Sequence, residues 1–162
     1  MITIYNKDIK ILHYCLGGIK ELRGHNMLRI SDAASLALHT MVLLAARAGE
    51  LMSNKEIASV LKVSEAHLSK VLQRLAKVGL VGSTRGPKGG FYLGREASSI
   101  TLMEVYEAIE GPLLLCNCIL DKQICTKKHC ILGKLIEKVN SQVKDYLANN
   151  TLDQLSISYK LA

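Results

Sequence analysis

No run of apolar residues in this chain approaches the eighteen or so needed to cross a bilayer, so a helical membrane span is excluded. The first eleven residues place Asn6, Lys7, Asp8 and Lys10 among their apolar positions, and so lack the uninterrupted core of a signal peptide. A reducing cytoplasm is therefore the expected compartment. Enzyme signatures are missing too. Nothing resembles a nucleophile paired with its base, and Arg85-Gly-Pro-Lys-Gly-Gly90 lacks the Gly-Lys-Ser/Thr ending of a phosphate-binding loop, so catalysis is not expected. Acidic residues are nearly absent from residues 53–95. There Glu56 and Glu65 stand against Lys55, Lys62, Lys70, Arg74, Lys77, Arg85, Lys88 and Arg95, a local excess of +6 in a chain of net charge +7. Such bias fits a phosphate-backbone partner, or else a solvated basic face.

What is present is a hydrophobic fraction of 49% over 162 residues, which excludes general disorder and suits one sizeable core with an appendage. Residues 1–26 are weakly patterned and are expected to be an arm, a short extra helix or sequence ahead of the true start. From Met27 an apolar-rich run through Ala34, Leu38, Met41 and Leu44 reads as a buried helix, capped by Ser31 and stopped at Gly49. Ser53-Asn-Lys-Glu56 is a capping box for a short helix with Ile57, Ala58, Val60 and Leu61 inward. After a turn at Lys62-Val63, Ser64 caps a longer helix whose apolar row is Leu68, Val71, Leu72, Leu75 and Val78. Two helices so tightly joined read as a helix-turn-helix. The β-prone runs 80–84 and 91–93, around the glycine loop 85–90, then read as a wing. That loop is either merely flexible or, with Arg85 and Lys88 at its flanks, a contact to a nucleic-acid groove or backbone.

Thr101-Leu-Met-Glu104 opens a further capped helix that ends at Gly111-Pro112. Beyond it, Cys116, Cys118, Cys125 and Cys130 crowd four of the five cysteines into fifteen residues with no apolar period. Thiolates at this density in a reducing compartment are metal or cluster ligands, or a redox pair, ahead of structural disulfides. Cys15 stands apart and reads as a small hydrophobe or a free thiol. From Ile131 onward Leu135, Val139, Val143 and Tyr146-Leu147 form one narrow apolar stripe. It suits packing against a partner helix, most simply its own copy across a two-fold axis, or else an ordinary core contact.

The run from Gly79 to Glu110, with its Arg-Gly-Pro-x-Gly-Gly wing, the spaced cysteines and the ending Asn-Asn-Thr-Leu-Asp-Gln-Leu155 resemble the Rrf-two family of winged-helix transcription regulators, of the IscR and NsrR type. The likeness spans roughly residues 27–155, and Met27-Leu-Arg-Ile looks like the usual start. It implies a mainly α fold: a winged helix-turn-helix domain (27–112) with a small two-stranded wing, a cysteine-rich ligand loop (113–130), and a long C-terminal dimerisation helix with its tail (131–162), residues 1–26 lying outside. It also implies a homodimer on double-stranded DNA, with the recognition helix in the major groove and the wing in the minor groove. Those roles fall on Ser64, His67, Ser69, Lys70 and Arg74 in the helix and on Arg85 and Lys88 in the wing. The residue types agree, since short hydroxyls reach base edges, Lys70 and Arg74 can neutralise phosphates, and a narrow minor groove attracts arginine. His67 stands where many relatives carry Tyr and Ser69 where some carry Glu, so the operator does not transfer.

Sensing members hold an iron-sulfur cluster, 2Fe-2S or 4Fe-4S, on three loop cysteines and a variable fourth ligand. Here Cys118, Cys125 and Cys130 match best, with six and four residues between them and Cys116 as an extra. The position that is histidine in some relatives is Gly133, and the one that is acidic in others falls near Ser35. Cys116 or His39 is then the candidate further ligand, with His129 and a small molecule behind them. The alternative reading of His39 is a hydrogen-bonded histidine at a helix contact. The implied function is a transcriptional repressor switched by a cluster that senses iron, redox state or nitric oxide. The alternatives are a cluster-free regulator, switched by cysteine oxidation or holding zinc, and a winged helix that binds partners without DNA.

Overall fold

A computed structural model of the chain describes residues 30–86, 88–115 and 130–156. The chain divides into two compact units: one gathers residues 30–113 and the chain from 144 on, while the other includes residues 130–143. In the first unit α1 (Asp32–Ala46) is the central helix. Its Ser31 cap accepts from the Ala34 amide at 3.1 Å, and Leu36, Ala37 and an unbroken row from Thr40 to Ala45 are buried. Thr40 is tolerated there because its hydroxyl donates to the Leu36 carbonyl at 2.7 Å. The helix ends at Arg47, ahead of the glycine expected to stop it; Gly49, at φ +90°, turns the chain two residues later.

Helix α2 (Asn54–Leu61) opens with the expected capping box, in which the Glu56 amide donates to Ser53 Oγ at 3.2 Å and the Ser53 amide to Glu56 Oε2 at 2.7 Å. Ile57 and Ala58 are buried, but Val60 is 41% exposed. It follows Ala58 by two residues, about 200° around the helix, and so faces away from the core. The tight turn comes from Lys62, which adopts left-handed dihedrals (φ 55°, ψ 44°) while the Val63 amide reaches back to the Ala58 carbonyl at 3.0 Å.

Helix α3 (Glu65–Lys77) buries Leu68, Val71, Leu72 and Leu75. The apolar row does not continue to Val78, which is 55% exposed at the cap. Gly79, at φ +75°, reverses the chain there, and Leu80 enters the core instead, its amide bonded to the Leu75 carbonyl at 3.0 Å.

Strands β1 (Val81–Thr84) and β2 (Gly90–Leu93) pair antiparallel, with Val81 opposite Leu93 and Thr84 opposite Gly90. Met52 bridges Phe91 on the other edge of β2, which ties the wing to the segment before α2. Gly90 is required at that contact, since a Cβ there would lie 2.8 Å from the Met52 carbonyl oxygen.

A turn of 3₁₀ helix (Ala97–Ser99) leads to α4 (Leu102–Glu110), opened by the Thr101–Glu104 capping box and closed by Gly111 at φ +82°. The long late helix is α5 (Gly133–Asn149), followed by the short α6 (Leu152–Ser156). The expected apolar stripe on α5 splits. Ile136, Asn140 and Leu147 are buried and Val139 and Val143 half-buried, whereas Leu135 and Tyr146 are 58% and 56% exposed. After α5 the chain pairs with the start of α4: the Leu102 amide donates to the Asn150 carbonyl at 3.0 Å, the Leu152 amide to that of Ile100 at 3.1 Å, and Leu152 is fully buried.

Candidate nucleic-acid interface and ligand residues

The candidate reading surface is the outer face of α3. Its N-cap, Ser64, accepts from the His67 amide at 3.2 Å, so that hydroxyl is already engaged in holding the first turn. Asn54 joins the two helices by donating from Nδ2 to the Glu65 carbonyl at 3.2 Å, an anchor that sequence reasoning did not single out. Opposite the buried row, Ala66, Lys70, Gln73 and Lys77 are exposed, while Ser69 and His67 are half-buried at the edges. Steps of four, three and four residues put that exposed row on one side of the helix. Extending the helical period from Lys70 in both directions would have found Ala66, Gln73 and Lys77.

Arg74 lies at the margin of this face, and its guanidinium Nη2 donates to the carbonyl of Ile109 in α4. In the wing, Arg85 and Lys88 are both exposed at the loop. Gly86 (φ +120°) sets the turn, with the Gly89 amide bonded to the Gly86 carbonyl at 2.9 Å. A side chain on Gly89 would lie 2.2 Å from the Thr84 carbonyl, so the loop that presents Arg85 and Lys88 depends on glycine. Across the strands Tyr92 covers Gly82, where any Cβ would meet the ring at 2.4 Å.

Two of the eight basic residues in 53–95 are therefore engaged within the protein. Besides Arg74, Arg95 pairs with Glu104 at 2.6 Å. Burial pulls the Glu104 carboxyl up, but the Arg95 guanidinium and the Thr101 amide and hydroxyl together hold it below the ordinary carboxylate range. Glu56 is likewise lowered, by its bonds from the Ser53 hydroxyl and amide.

Of the expected ligands, Cys116, Cys118 and Cys125 lie outside the described residues, as does His129. Cys130 is half-buried with a free thiol, just ahead of α5. A Cβ on Gly133 would sit 3.5 Å from its sulfur. His39 is exposed on α1, with Nδ1 2.7 Å from the Ser35 carbonyl. A carbonyl only accepts, so Nδ1 donates that bond, the arrangement found in histidines that bind metal through Nε2. Among the described residues no three His, Cys, Asp or Glu side chains gather as a metal site. No helix among them is long and apolar enough to cross a membrane.

Comparison with known proteins places these features among regulators. The Rrf2 family profile, described as an iron-dependent transcriptional regulator, matches residues 30–157. A putative HTH-type transcriptional regulator of Aquifex aeolicus is 32% identical over 128 residues, covering 77% of this chain and 89% of its own. The regulator NsrR of Bacillus licheniformis is 30% identical over 134 residues, or 80% of this chain and 90% of its own. The solved structure of CymR, described as the global cysteine regulator of B. subtilis, superposes with a TM-score of 0.72 at 30% identity, covering 83% of this chain and all of that one.

Proposed function

The chain belongs to the Rrf2 family of transcriptional regulators, which are not enzymes, and from that premise we propose that it is a homodimeric, cytoplasmic repressor that reads double-stranded DNA under the control of an iron-sulfur cluster. The observation that carries the DNA reading is the exposed row of Lys70, Gln73 and Lys77 on α3, in one unit with a glycine-built wing that presents Arg85 and Lys88. Lysine and arginine supply sequence-independent attraction to phosphates, and Gln73, Ser69 and His67 supply groups able to discriminate base edges. In this plan residues 27–112 are the reader, 113–130 the ligand loop, and 131–162 hold the dimerisation helix and tail. Leu135 and Tyr146, exposed on α5, suit a second copy of the helix.

Cys118, Cys125 and Cys130 would hold the cluster, with His39 or Cys116 completing it. The donor chemistry fits, for Cys130 carries a free thiol and His39 is oriented by its Nδ1 bond to the Ser35 carbonyl, as in histidines that bind metal through Nε2. When bound, a 2Fe-2S or 4Fe-4S cluster supplies a centre that responds to iron supply, redox state or nitric oxide. This chain's part is to hold it at the loop between α4 and α5. Protein purified without oxygen is expected to be brown and to contain iron and acid-labile sulfide. Colourless protein with stoichiometric zinc, or with no metal after anaerobic reconstitution, overturns the cluster. Visible spectra of His39→Ala and Cys116→Ala then identify the remaining ligand as the one whose loss alters the cluster bands.

The likeness to CymR favours a second reading, a cluster-free regulator of the same DNA-binding type switched by oxidation of Cys116 or Cys118 or holding zinc on the loop thiolates. The metal analysis separates the two.

A further inference from the structure

Arg74 belongs to the basic segment of the recognition helix, yet its guanidinium donates to the carbonyl of Ile109, in the last turn of α4. That carbonyl is one of the four that a helix leaves without an internal partner at its C-terminus. The neighbouring ones are also accounted for in part: the Gly111 amide closes onto the Glu107 carbonyl at 3.0 Å. The Glu107 side chain accepts from the Leu113 amide at 3.0 Å, beyond the helix end. On the opposite side Ser31, the cap of α1, donates its hydroxyl to the carboxylate of Glu110. The end of α4 is therefore bound to α1, to α3 and to its own exit segment, and that exit segment is the chain that runs on to Cys116.

We propose that Arg74 is a positioning residue that caps α4 from the recognition helix, so that the start of the cysteine loop and the DNA-reading face move as one body. A positive group suits this place because the partial negative charge at a helix C-terminus attracts it. The bond is part-buried, so breaking it takes from that carbonyl a charge-assisted donor. A displacement at Gly111–Leu113 is then transmitted to α3 through this bond. By linkage, fixing α3 on DNA must also steady Gly111–Leu113. The inference extends the DNA-reader proposal, and only its DNA arm rests on that proposal.

Amide hydrogen exchange and the salt dependence of DNA binding test it on the full chain. In Arg74→Met, exchange at Gly111 and Leu113 of the free protein should be about tenfold faster, the loss expected of one charge-assisted hydrogen bond. Binding to a duplex taken from the protein's own promoter should keep the same slope of log affinity against log salt, because no phosphate contact is lost. With the wild-type protein that duplex should slow exchange at Gly111 and Leu113, and with Arg74→Met it should not. Unchanged exchange in the free variant overturns the proposal. So does a salt slope shallower by about 0.9, the signature of one lost phosphate contact. Wild-type protein that shows no salt-dependent DNA binding would instead defeat the DNA reader, leaving the exchange of the free protein to decide the cap. Should the methionine variant fail to fold, Arg74→Ala, which also removes charge and donor, gives the same exchange readout: faster exchange at Gly111 supports the cap and unchanged exchange overturns it.

Discussion

At the scale of single residues the turn between α2 and α3 hangs on Lys62. Its left-handed backbone places a Cβ close to the following carbonyl, a strain of roughly 1–2 kcal/mol for a residue other than glycine. Lys62→Gly removes that strain and returns part of the gain as extra freedom of the unfolded chain. The folded domain should be stabilised by up to about 1 kcal/mol, read as a higher urea midpoint with an unchanged slope. A lower midpoint would show that the lysine side chain contributes more than its backbone costs. The sequence announced a turn at Lys62-Val63 but not this conformation, because lysine carries no local preference for it. Arg74 was hidden for a related reason. Composition and helical period place it among phosphate-facing residues, and only the packing of α4 beside α3 shows where its guanidinium goes. His39 and the loop cysteines were visible as chemical types, since thiols and imidazoles are rare enough to stand out.

At the scale of elements the caps were the most legible features. Ser53–Glu56 and Thr101–Glu104 form the reciprocal bonds that their spacing implies, because a capping box is complete within four residues. The recognition helix and the wing were legible as well. Edges were less so: Val60 and Val78 fall outside the buried rows, because apolar type alone does not record which way a helix ends or turns. The wing makes a clear prediction. Arg85→Ala should weaken binding to the protein's own promoter by about tenfold and lower the salt slope by about 0.9, with no change in thermal unfolding, since the side chain is exposed and the glycines shape the loop. Unchanged affinity at physiological salt would show that the wing does not touch DNA.

At the scale of the whole molecule, the stripe on α5 was read as one surface and is two. Ile136 and Leu147 are already covered, whereas Leu135 and Tyr146 stay exposed. The proposed homodimer through α5 predicts that Leu135→Glu shifts the protein from dimer to monomer in sedimentation equilibrium at micromolar concentration while leaving its helical content unchanged, because a charge would be buried only in the dimer. A persistent dimer would move the interface elsewhere. The return of the chain after α5 was not legible at all, as the bonds of Asn150 and Leu152 to residues 100–102 join positions fifty residues apart. That return has a consequence during synthesis. Leu152 fills a place in the reader's core, so the ribosome must release Leu152 before the domain that includes residues 30–113 can close. A nascent chain stalled short of Asn150 would hold every residue of the wing and recognition helix and still be an unfinished reader, so DNA recognition waits on a segment made long after the wing.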